Sequence, residues 1–343
     1  MKVTFKDVAR LAGVSTQTVS RVTHNARNVS EKTRQRVQDA IRQLGYIPSK
    51  SAQLLGRNQS RTIGLVTLDL IHYGAAMQAA GIRRAAREKG YGLLLGVAEE
   101  TTVESIHEAL KDLMAQQIDA VIINIAITSE HAVSLTQQYP DLPIVFSDTE
   151  PAPELVTVMS DHCRGAAMAA QHLLANSRRR IFFVHGPLDS AAARLRREGW
   201  LQALAREGLK PVGECVANWS GGQAFRLTSQ MLQKRDDGTV EVDGILCASD
   251  QMALGVLKAL NTNNVNIPGE IAVSGFDDTP DSALYQPALT TIRQDFFRLG
   301  KLIVESLLAL LNEQSNGNTP ELITRMALTK NVEVSLVVRE STE

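Results

Sequence analysis

From residue 61 onward the sequence alternates short apolar stretches with longer amphipathic ones, and this alternation constrains the fold most. The apolar stretches include TIGLVTLDL at 62–70, DAVIINIAI at 119–127 and EIAVSGFDD at 270–278. Continuous apolar strands that alternate with helices are typical of parallel sheets covered by helices on both faces. The pattern therefore predicts an α/β body, and the length of this region fits two doubly wound units.

Polar residues follow several of the predicted strands. Asn124, Asp148, Ser249 and Asp277 each lie where an apolar stretch ends. Ligands of open parallel sheets bind beyond the carboxyl ends of the strands, so these residues predict a binding cleft. Asp277 and its neighbour Asp278 resemble a pair of carboxylates for acid–base work, but adjacent strand residues point to opposite faces.

The common signatures of enzymes are absent from the sequence. It contains no GxxxxGK[ST] phosphate loop and no GxSxG nucleophile elbow, and its His and Cys residues show no metal-ligand spacing. We therefore expect a protein that is not an enzyme and uses no metal or cofactor. No apolar run reaches the ~18 residues of a membrane span. The charged first residues and three scattered cysteines favour the cytoplasm.

The first sixty residues differ in charge from the rest of the chain. They hold eleven lysines and arginines against three aspartates and glutamates, a net charge of +8, whereas the whole chain carries −1. This distribution predicts that only the basic segment binds a polyanion.

The basic segment has the spacing of a helix-turn-helix. Thr4 and Asp7 fit a capping box, Gly13 suits a tight turn, and Ser15 can cap the next helix. The pattern Ala9-x3-Gly13-x5-Val19 supplies a small residue for close helix contact, a turn and an apolar seal. A helix is predicted from Thr16 to about Thr23, and another, capped by Ser30, from Glu31 to Leu44. An ordinary three-helix bundle with a polar surface is the alternative interpretation.

Residues 46–60 have helix-forming side chains over only about two turns, which is too short to be stable alone in water. This segment is either a linker or a hinge helix. A hinge helix would form only when it packs against a second copy of the chain and binds in a DNA minor groove.

Residues 3–60 resemble the head of the LacI/GalR family of bacterial repressors. The similarity continues along the chain through QTVSRV, YIP, ARLRREGW, DQMALG and FDDTPDSALYQPALTTIRQDF, and within the family it is strongest to lactose repressors. It implies a periplasmic-binding-protein-like body of two lobes behind the head. The implied domains are a helix-turn-helix at 1–45, a hinge at 46–60, and an effector-binding and dimerisation domain at 61–340, with subdomains 61–160 plus 296–323 and 161–295 plus 324–340.

The resemblance also assigns DNA contacts in the head and hinge. Leu55 corresponds to the leucine that wedges into the central minor groove, and Thr16-Gln17 replaces the Tyr-Gln that begins the reading helix of lactose repressors, so the operator sequence is expected to differ. The implied contacts are Thr4, Ser15, Thr16, Gln17, Ser20, Arg21, Asn28, Val29, Tyr46, Ala52 and Leu55.

An effector site follows from the same resemblance and from sugar chemistry. Vicinal hydroxyls bind to carboxylates, amides and guanidinium groups, and an aromatic face packs on the C–H surface of a sugar. The implied residues are His72, Asn124, Asp148, Arg196, Trp219, Ser249, Gln251, Asp277, Gln294 and Phe296.

Some pocket positions depart from those of lactose repressors. Ser147 and Ser160 replace a leucine and a phenylalanine, Ala192 replaces a serine, and Ser249 replaces an asparagine. We expect a roomier and more polar pocket that still favours a galactoside and would suit a larger oligosaccharide with a galactosyl end.

The predicted function is repression of a sugar-utilisation operon. A homodimer in the cytoplasm would bind double-stranded DNA at a near-palindromic operator and release it when a sugar inducer, expected to be a galactoside, fills the cleft between the lobes. No heptad helix follows the final NVEVSLVVRESTE, which favours a dimer over a tetramer. Two alternatives remain open: a corepressor ligand, as in purine-sensing relatives, and a sugar-binding protein that does not regulate DNA.

Overall fold

The computed structural model describes residues 3–23, 28–46, 59–236, 238, 241–315 and 329–343. They divide into two units. The first consists of Met1–Thr62 with Gln117–Asp119, and the second of Ile63–Gln116 with Ala120–Glu343.

The first unit contains three described helices, α1 (Phe5–Ala12), α2 (Thr16–Thr23) and α3 (Glu31–Leu44). The predicted caps begin them. The backbone N–H of Thr4 donates to the Asp7 carboxylate at 2.9 Å, and Ser30 Oγ accepts the N–H of Thr33 at 3.4 Å. Each interaction satisfies a polar group at a helix start that has no partner within the helix, so the predicted boundaries are confirmed.

Apolar side chains from all three helices close the core of this unit. Val8, Val19 and Val37 are fully buried there. Gly13 turns the chain between α1 and α2 at φ 61°, a conformation that glycine adopts without steric cost. The guanidinium of Arg36 on α3 donates to the carbonyls of Ala12 and Gly13, which ties the third helix to this turn. The predicted helix-turn-helix is confirmed.

The second unit begins with an open parallel sheet of strand order β2-β1-β3-β4. Helices α4 (Tyr73–Glu88), α5 (Val103–Ala115) and α6 (Ser129–Gln138) connect its strands, and a later helix, α11 (Phe296–Ser315), packs with α4 and the sheet around one apolar core. We call this part the first lobe. Its strands are β1 (Thr62–Thr67), β2 (Gly92–Val97), β3 (Ala120–Asn124) and β4 (Ile144–Phe146).

A second open parallel sheet, of order β7-β6-β8-β9, forms the second lobe around a separate core. Its strands are β6 (Ile181–His185), β7 (Gly213–Val216), β8 (Gly244–Cys247) and β9 (Ala272–Ser274). Its helices are α7 (His162–Ala175), α8 (Ala191–Arg206), α9 (Gly221–Asp236) and α10 (Asp250–Thr262), with a 3-10 turn at Pro280–Leu284. The predicted α/β class with two doubly wound units is confirmed.

Short strands mark where the chain passes between the lobes. β5 (Val158–Ser160) pairs in parallel with β11 (Lys330–Val332), and Val158 and Val332 lie in the first core. β10 (Thr291–Arg293) pairs with β12 (Ser335–Val337), and Ile292 lies in the second core. β11 therefore packs with the first lobe, whereas the subdomain limits implied by the resemblance place 324–340 with the second.

Helices α4 and α11 approach each other at Gly81 and Gly300. A Cβ added at Gly81 would overlap the carbonyl oxygen of Phe296, and one added at Gly300 would overlap the backbone of Gly81. Only glycine permits this backbone contact, which brings the start of α11, and with it Phe296, against α4.

We predict that Gly81→Ala destabilises the protein by about 1–3 kcal/mol, because the added methyl group forces the two helices apart. Gly222→Ala is the matched control. It lies in α9, where the nearest atom to an added Cβ is Ser220 Oγ at 3.9 Å. It should be neutral or stabilising by up to about 1 kcal/mol, since alanine favours helix. Urea unfolding would measure both, and equal stabilities of the two variants would contradict the close contact.

Candidate functional site

The outer face of α2 carries the polar residues predicted to read DNA. Thr16, Gln17 and Arg21 are exposed and Ser20 is half-buried, while the opposite face buries Val19 and Val22 in the core. Ser15 Oγ accepts the N–H of Thr18 at 3.1 Å and so caps the helix start. An α-helix with one apolar face packed in the core and a largely exposed polar face suits insertion into a major groove.

A groove beside α2 gathers more of the predicted contacts. Ser15 and Arg21 line it together with Asn28 and Val29, which precede α3. Thr4 is exposed at the start of α1, where its hydroxyl donates to the Asp7 carboxylate at 2.7 Å. The structure therefore brings residues from α2 and from the segment before α3 to one polar surface.

Tyr46 differs from the other predicted DNA contacts. Its ring is only 9% exposed and lies 5.5 Å from the ring of Phe5, centroid to centroid. The structure thus makes Tyr46 part of the core of this unit, and only the small exposed part of the ring is available to a partner. Ala52 and Leu55 lie outside the described residues.

Within the second unit a cavity of about 260 Å³ opens between the two lobes. Every residue predicted to bind the effector lines it: His72, Asn124, Asp148, Arg196, Trp219, Ser249, Gln251, Asp277, Gln294 and Phe296. The departures Ser147, Ser160 and Ala192 line it as well. Both lobes contribute walls because the carboxyl ends of both sheets face the cavity.

Arg196, on the first turns of α8, is the most constrained residue of the cavity. Its side chain is 5% exposed and lies 3.9 Å from the ring centroid of Phe276 and 5.4 Å from that of Trp219. The guanidinium donates to the carbonyl of Ala248 and lies 3.7 Å from a carboxylate oxygen of Asp277. Burial lowers the pKa of Arg196, and the nearby carboxylates of Asp277 and Asp148 oppose that shift.

Asp277 and Asp278 diverge at the end of the second sheet. Asp277 faces the cavity and accepts the amide of Gln294 at 2.7 Å. Asp278 instead accepts from Arg293 and Arg339, each at 2.6 Å. Burial raises the pKa of Asp277 to about 7, more than Arg196 lowers it. Only one of the two carboxylates faces the cavity, which does not fit a catalytic pair.

Asp148 connects the two lobes. It follows β4 of the first lobe and accepts the N–H of Ala192 at 2.9 Å and the hydroxyl of Ser190 at 3.1 Å, both at the start of α8 in the second lobe. Burial raises the pKa of Asp148, and these hydrogen bonds oppose the shift. Beside it Arg194 donates to Glu150 at 2.7 Å, a further bond between the lobes.

Two residues that are not among the predicted effector contacts position the cavity lining. The ring of His162, at the start of α7, accepts from Arg196 Nε at 3.4 Å, and burial lowers its pKa well below the usual value. Asp250, which is fully buried, accepts the N–H of Thr279 at 2.8 Å and so holds the loop that follows Asp277. The sequence signal for Asp250 is its position at a strand end, whereas His162 follows β5, a strand that the apolar pattern does not predict.

The described part of the chain holds no group of three or more His, Cys, Asp or Glu residues arranged for a metal ion. None of its helices combines the length and the apolar character needed to cross a bilayer.

The chain is similar to known regulators along its whole length. A family model described as bacterial regulatory proteins, lacI family, matches residues 4–49, and one of periplasmic binding protein-like domains matches 170–342. The lactose operon repressor of Escherichia coli (strain K12) is 37% identical over 317 residues, which cover 92% of this chain and 87% of that protein. The ribose operon repressor of the same strain is 34% identical over 330 residues, covering 94% and 98%.

A solved structure shows the same fold in a complex. It contains the lac repressor dimer bound to operator and the anti-inducer ONPF, and it matches with a TM-score of 0.88 at 35% identity over 100% of this chain and 99% of that one.

The raised pKa of Asp277 predicts that the free energy of unfolding depends on pH. Since burial raises its pKa from 3.8 to about 7, the folded protein holds this proton more tightly than the unfolded chain does. The resulting stabilisation is complete below about pH 4 and is lost as the pH rises toward 7. We predict that Asp277→Asn reduces this loss. Urea midpoints measured between pH 4 and 8 would test it, and parallel profiles for the variant and the wild type would contradict the raised pKa.

Proposed function

The chain belongs to the LacI family of bacterial regulatory proteins and is a DNA-binding transcriptional repressor, and from this premise we propose that its effector is a sugar, specifically a galactoside, that acts as an inducer. The sugar binds in the cavity between the lobes, and its binding lowers the affinity of the protein for its operator. The controlled genes would then serve the use of that sugar.

The observation that carries the effector proposal is the environment of Arg196. One buried guanidinium lies beside the Asp277 carboxylate and within 5.4 Å of the centroid of Trp219. A guanidinium and a carboxylate together bind vicinal hydroxyls through paired hydrogen bonds, and an indole face covers the C–H surface of a hexose. A sugar ring can use all three groups at once, and a purine base is the ligand class that the panel below sets against it.

Hydrogen bonds between the two lobes provide a physical basis for coupling sugar binding to DNA binding. Asp148 and Glu150 on one lobe bond to Ser190, Ala192 and Arg194 on the other. A sugar that competes for Asp148 changes the free energy of one lobe arrangement relative to another. It can act as an inducer only by binding more tightly to the arrangement with low operator affinity.

DNA recognition is proposed to use two copies of the chain, as in the lac repressor dimer bound to operator. Two α2 helices would enter successive major grooves, so the operator should be a near-palindrome with half-sites about one helical turn apart. The head, with its +8 charge, supplies phosphate contacts, so affinity should fall as salt rises. The wedge at Leu55 and the contact at Ala52 remain parts of this proposal. The domain limits 1–45, 46–60 and 61–340 are proposed with it.

The effector proposal is tested first with a ligand panel. Lactose, allolactose, melibiose, raffinose, galactose, ribose and a purine base would each be added to the full-length protein in thermal-shift and operator gel-shift measurements. We expect at least one galactoside to raise the unfolding temperature and to release DNA. Tighter DNA binding in the presence of a ligand would overturn the inducer assignment and favour a corepressor.

We predict that Arg196→Ala keeps operator affinity and loses the galactoside response, because the pocket loses its fork of hydrogen-bond donors. Sugar affinity should fall by more than about a hundredfold, since hydrogen bonds to a charged group are worth about 1.5–3 kcal/mol each. The control is Arg197→Ala on the same helix, whose side chain bonds to Glu214 at 2.7 Å and does not line the cavity. Normal induction of Arg196→Ala would refute the proposed role.

Gln17 is proposed to read a base edge. An operator would first be selected from random duplexes with the wild-type protein. Gln17→Ala should then lose about 1–3 kcal/mol of affinity for that operator, with little change in binding to random DNA. Fluorescence anisotropy on both duplexes measures this difference. An equal loss on both would assign Gln17 to backbone contact.

A further inference from the structure

The first-lobe wall of the cavity holds three buried polar atoms with no hydrogen-bond partner: Nδ1 of His72, Nε2 of Gln78 and Oγ of Ser160. Gln78 is 8% exposed and Ser160 1%. Seven buried side-chain nitrogen or oxygen atoms lack a partner in the described ranges, and three of the seven belong to residues that line this one cavity. Proteins rarely leave such groups unpaired, because each costs about 1–3 kcal/mol.

The start of helix α4 adds hydrogen-bond donors to the same wall. Tyr73, Gly74 and Ala75 begin the helix and line the cavity, and the side chain of His72 at the cap position makes no bond to the helix. The first N–H groups of any helix have no acceptor within it. We call the set formed by His72, Gln78, Ser160 and this helix start the polar wall.

The opposite wall is chemically different. It carries the Arg196 guanidinium, the Asp277 carboxylate and the Trp219 indole, all from the second lobe. A galactosyl ring bound to those groups leaves the polar wall to the remaining part of the ligand. If that remaining part of the ligand were apolar, the three unpaired atoms would stay buried without hydrogen-bond partners. If it carried hydroxyl groups, these would form hydrogen bonds with them.

We propose that the polar wall binds a second, hydroxyl-bearing sugar ring, so that the effector is a di- or oligosaccharide and not a galactoside with an apolar aglycone. This inference rests on the proposed function, because it assumes that a galactosyl ring occupies the opposite wall. Gln78 Nε2 donates to a hydroxyl oxygen of the second ring, and Ser160 Oγ both donates and accepts. The polar wall sets the choice among galactosides.

The test measures dissociation constants of the full-length protein by calorimetry with two kinds of probe. Lactose, melibiose and raffinose carry a second sugar ring, whereas isopropyl β-D-thiogalactoside and phenyl β-D-galactoside carry an apolar group. We expect at least one of the saccharides to bind about tenfold or more tightly than either apolar galactoside. This comparison needs only the wild-type protein and does not depend on how a variant folds.

Two variants locate the effect. Gln78→Leu and Ser160→Ala should each weaken saccharide binding about five- to tenfold, the loss expected for one hydrogen bond, and should leave phenyl galactoside binding unchanged or stronger. The matched control is Thr228→Val. Thr228 Oγ1 is also buried without a partner, but the residue does not line the cavity, so every affinity should stay the same.

The outcomes separate the two proposals. Equal or tighter binding of the apolar galactosides, with no effect of Gln78→Leu and Ser160→Ala on saccharides, overturns the polar wall and leaves the galactoside effector intact. Failure of every galactoside to bind, with ribose or a purine base binding instead, overturns the proposed function and this inference with it.

Discussion

The buried charge of Arg196 is the constraint around which the second unit is organised. A guanidinium removed from water is costly unless its hydrogen bonds and charge are compensated. The Ala248 carbonyl, the His162 ring, the Phe276 face and the Asp277 carboxylate provide that compensation, and they come from three separate parts of the second lobe, since Phe276 and Asp277 are consecutive. Asp277 in turn depends on Gln294, and the loop after it on Asp250. The ligand site is therefore one connected network of hydrogen bonds and charges. A sugar that displaces one member changes the interactions of the others.

The two lobes are held together in the same region that would bind a ligand. Asp148 accepts two hydrogen bonds from the start of α8, and Glu150 pairs with Arg194 beside it. Since Arg196 lies on the same helix start, a ligand that contacts it also acts on the bonds that set the lobe arrangement. Coupling between effector and operator requires such a difference between two states, and these contacts provide a physical basis for it.

Much of the fold was predictable because it depends on local signals. The caps at Thr4, Ser15 and Ser30 and the turn at Gly13 each act within a few residues, so the three helices of the head have the predicted bounds. The apolar strands of both sheets, but not the edge strand β7, were predictable for a similar reason. The strands β5, β10, β11 and β12 were not, because each forms by pairing with a segment that is distant in the chain.

The sequence by itself determined the fold class, the helix-turn-helix, the family and many of the residues that line the cavity, since these depend on local periodicity or on similarity along the chain. Only the tertiary structure decided how those residues work together. It buried Tyr46 against Phe5, separated Asp277 from Asp278, and brought in His162 and Asp250 as supports. It also left His72, Gln78 and Ser160 unpaired at one wall. The physical reason is that burial and hydrogen-bond partners are properties of contacts between residues far apart in the chain, which no local pattern encodes.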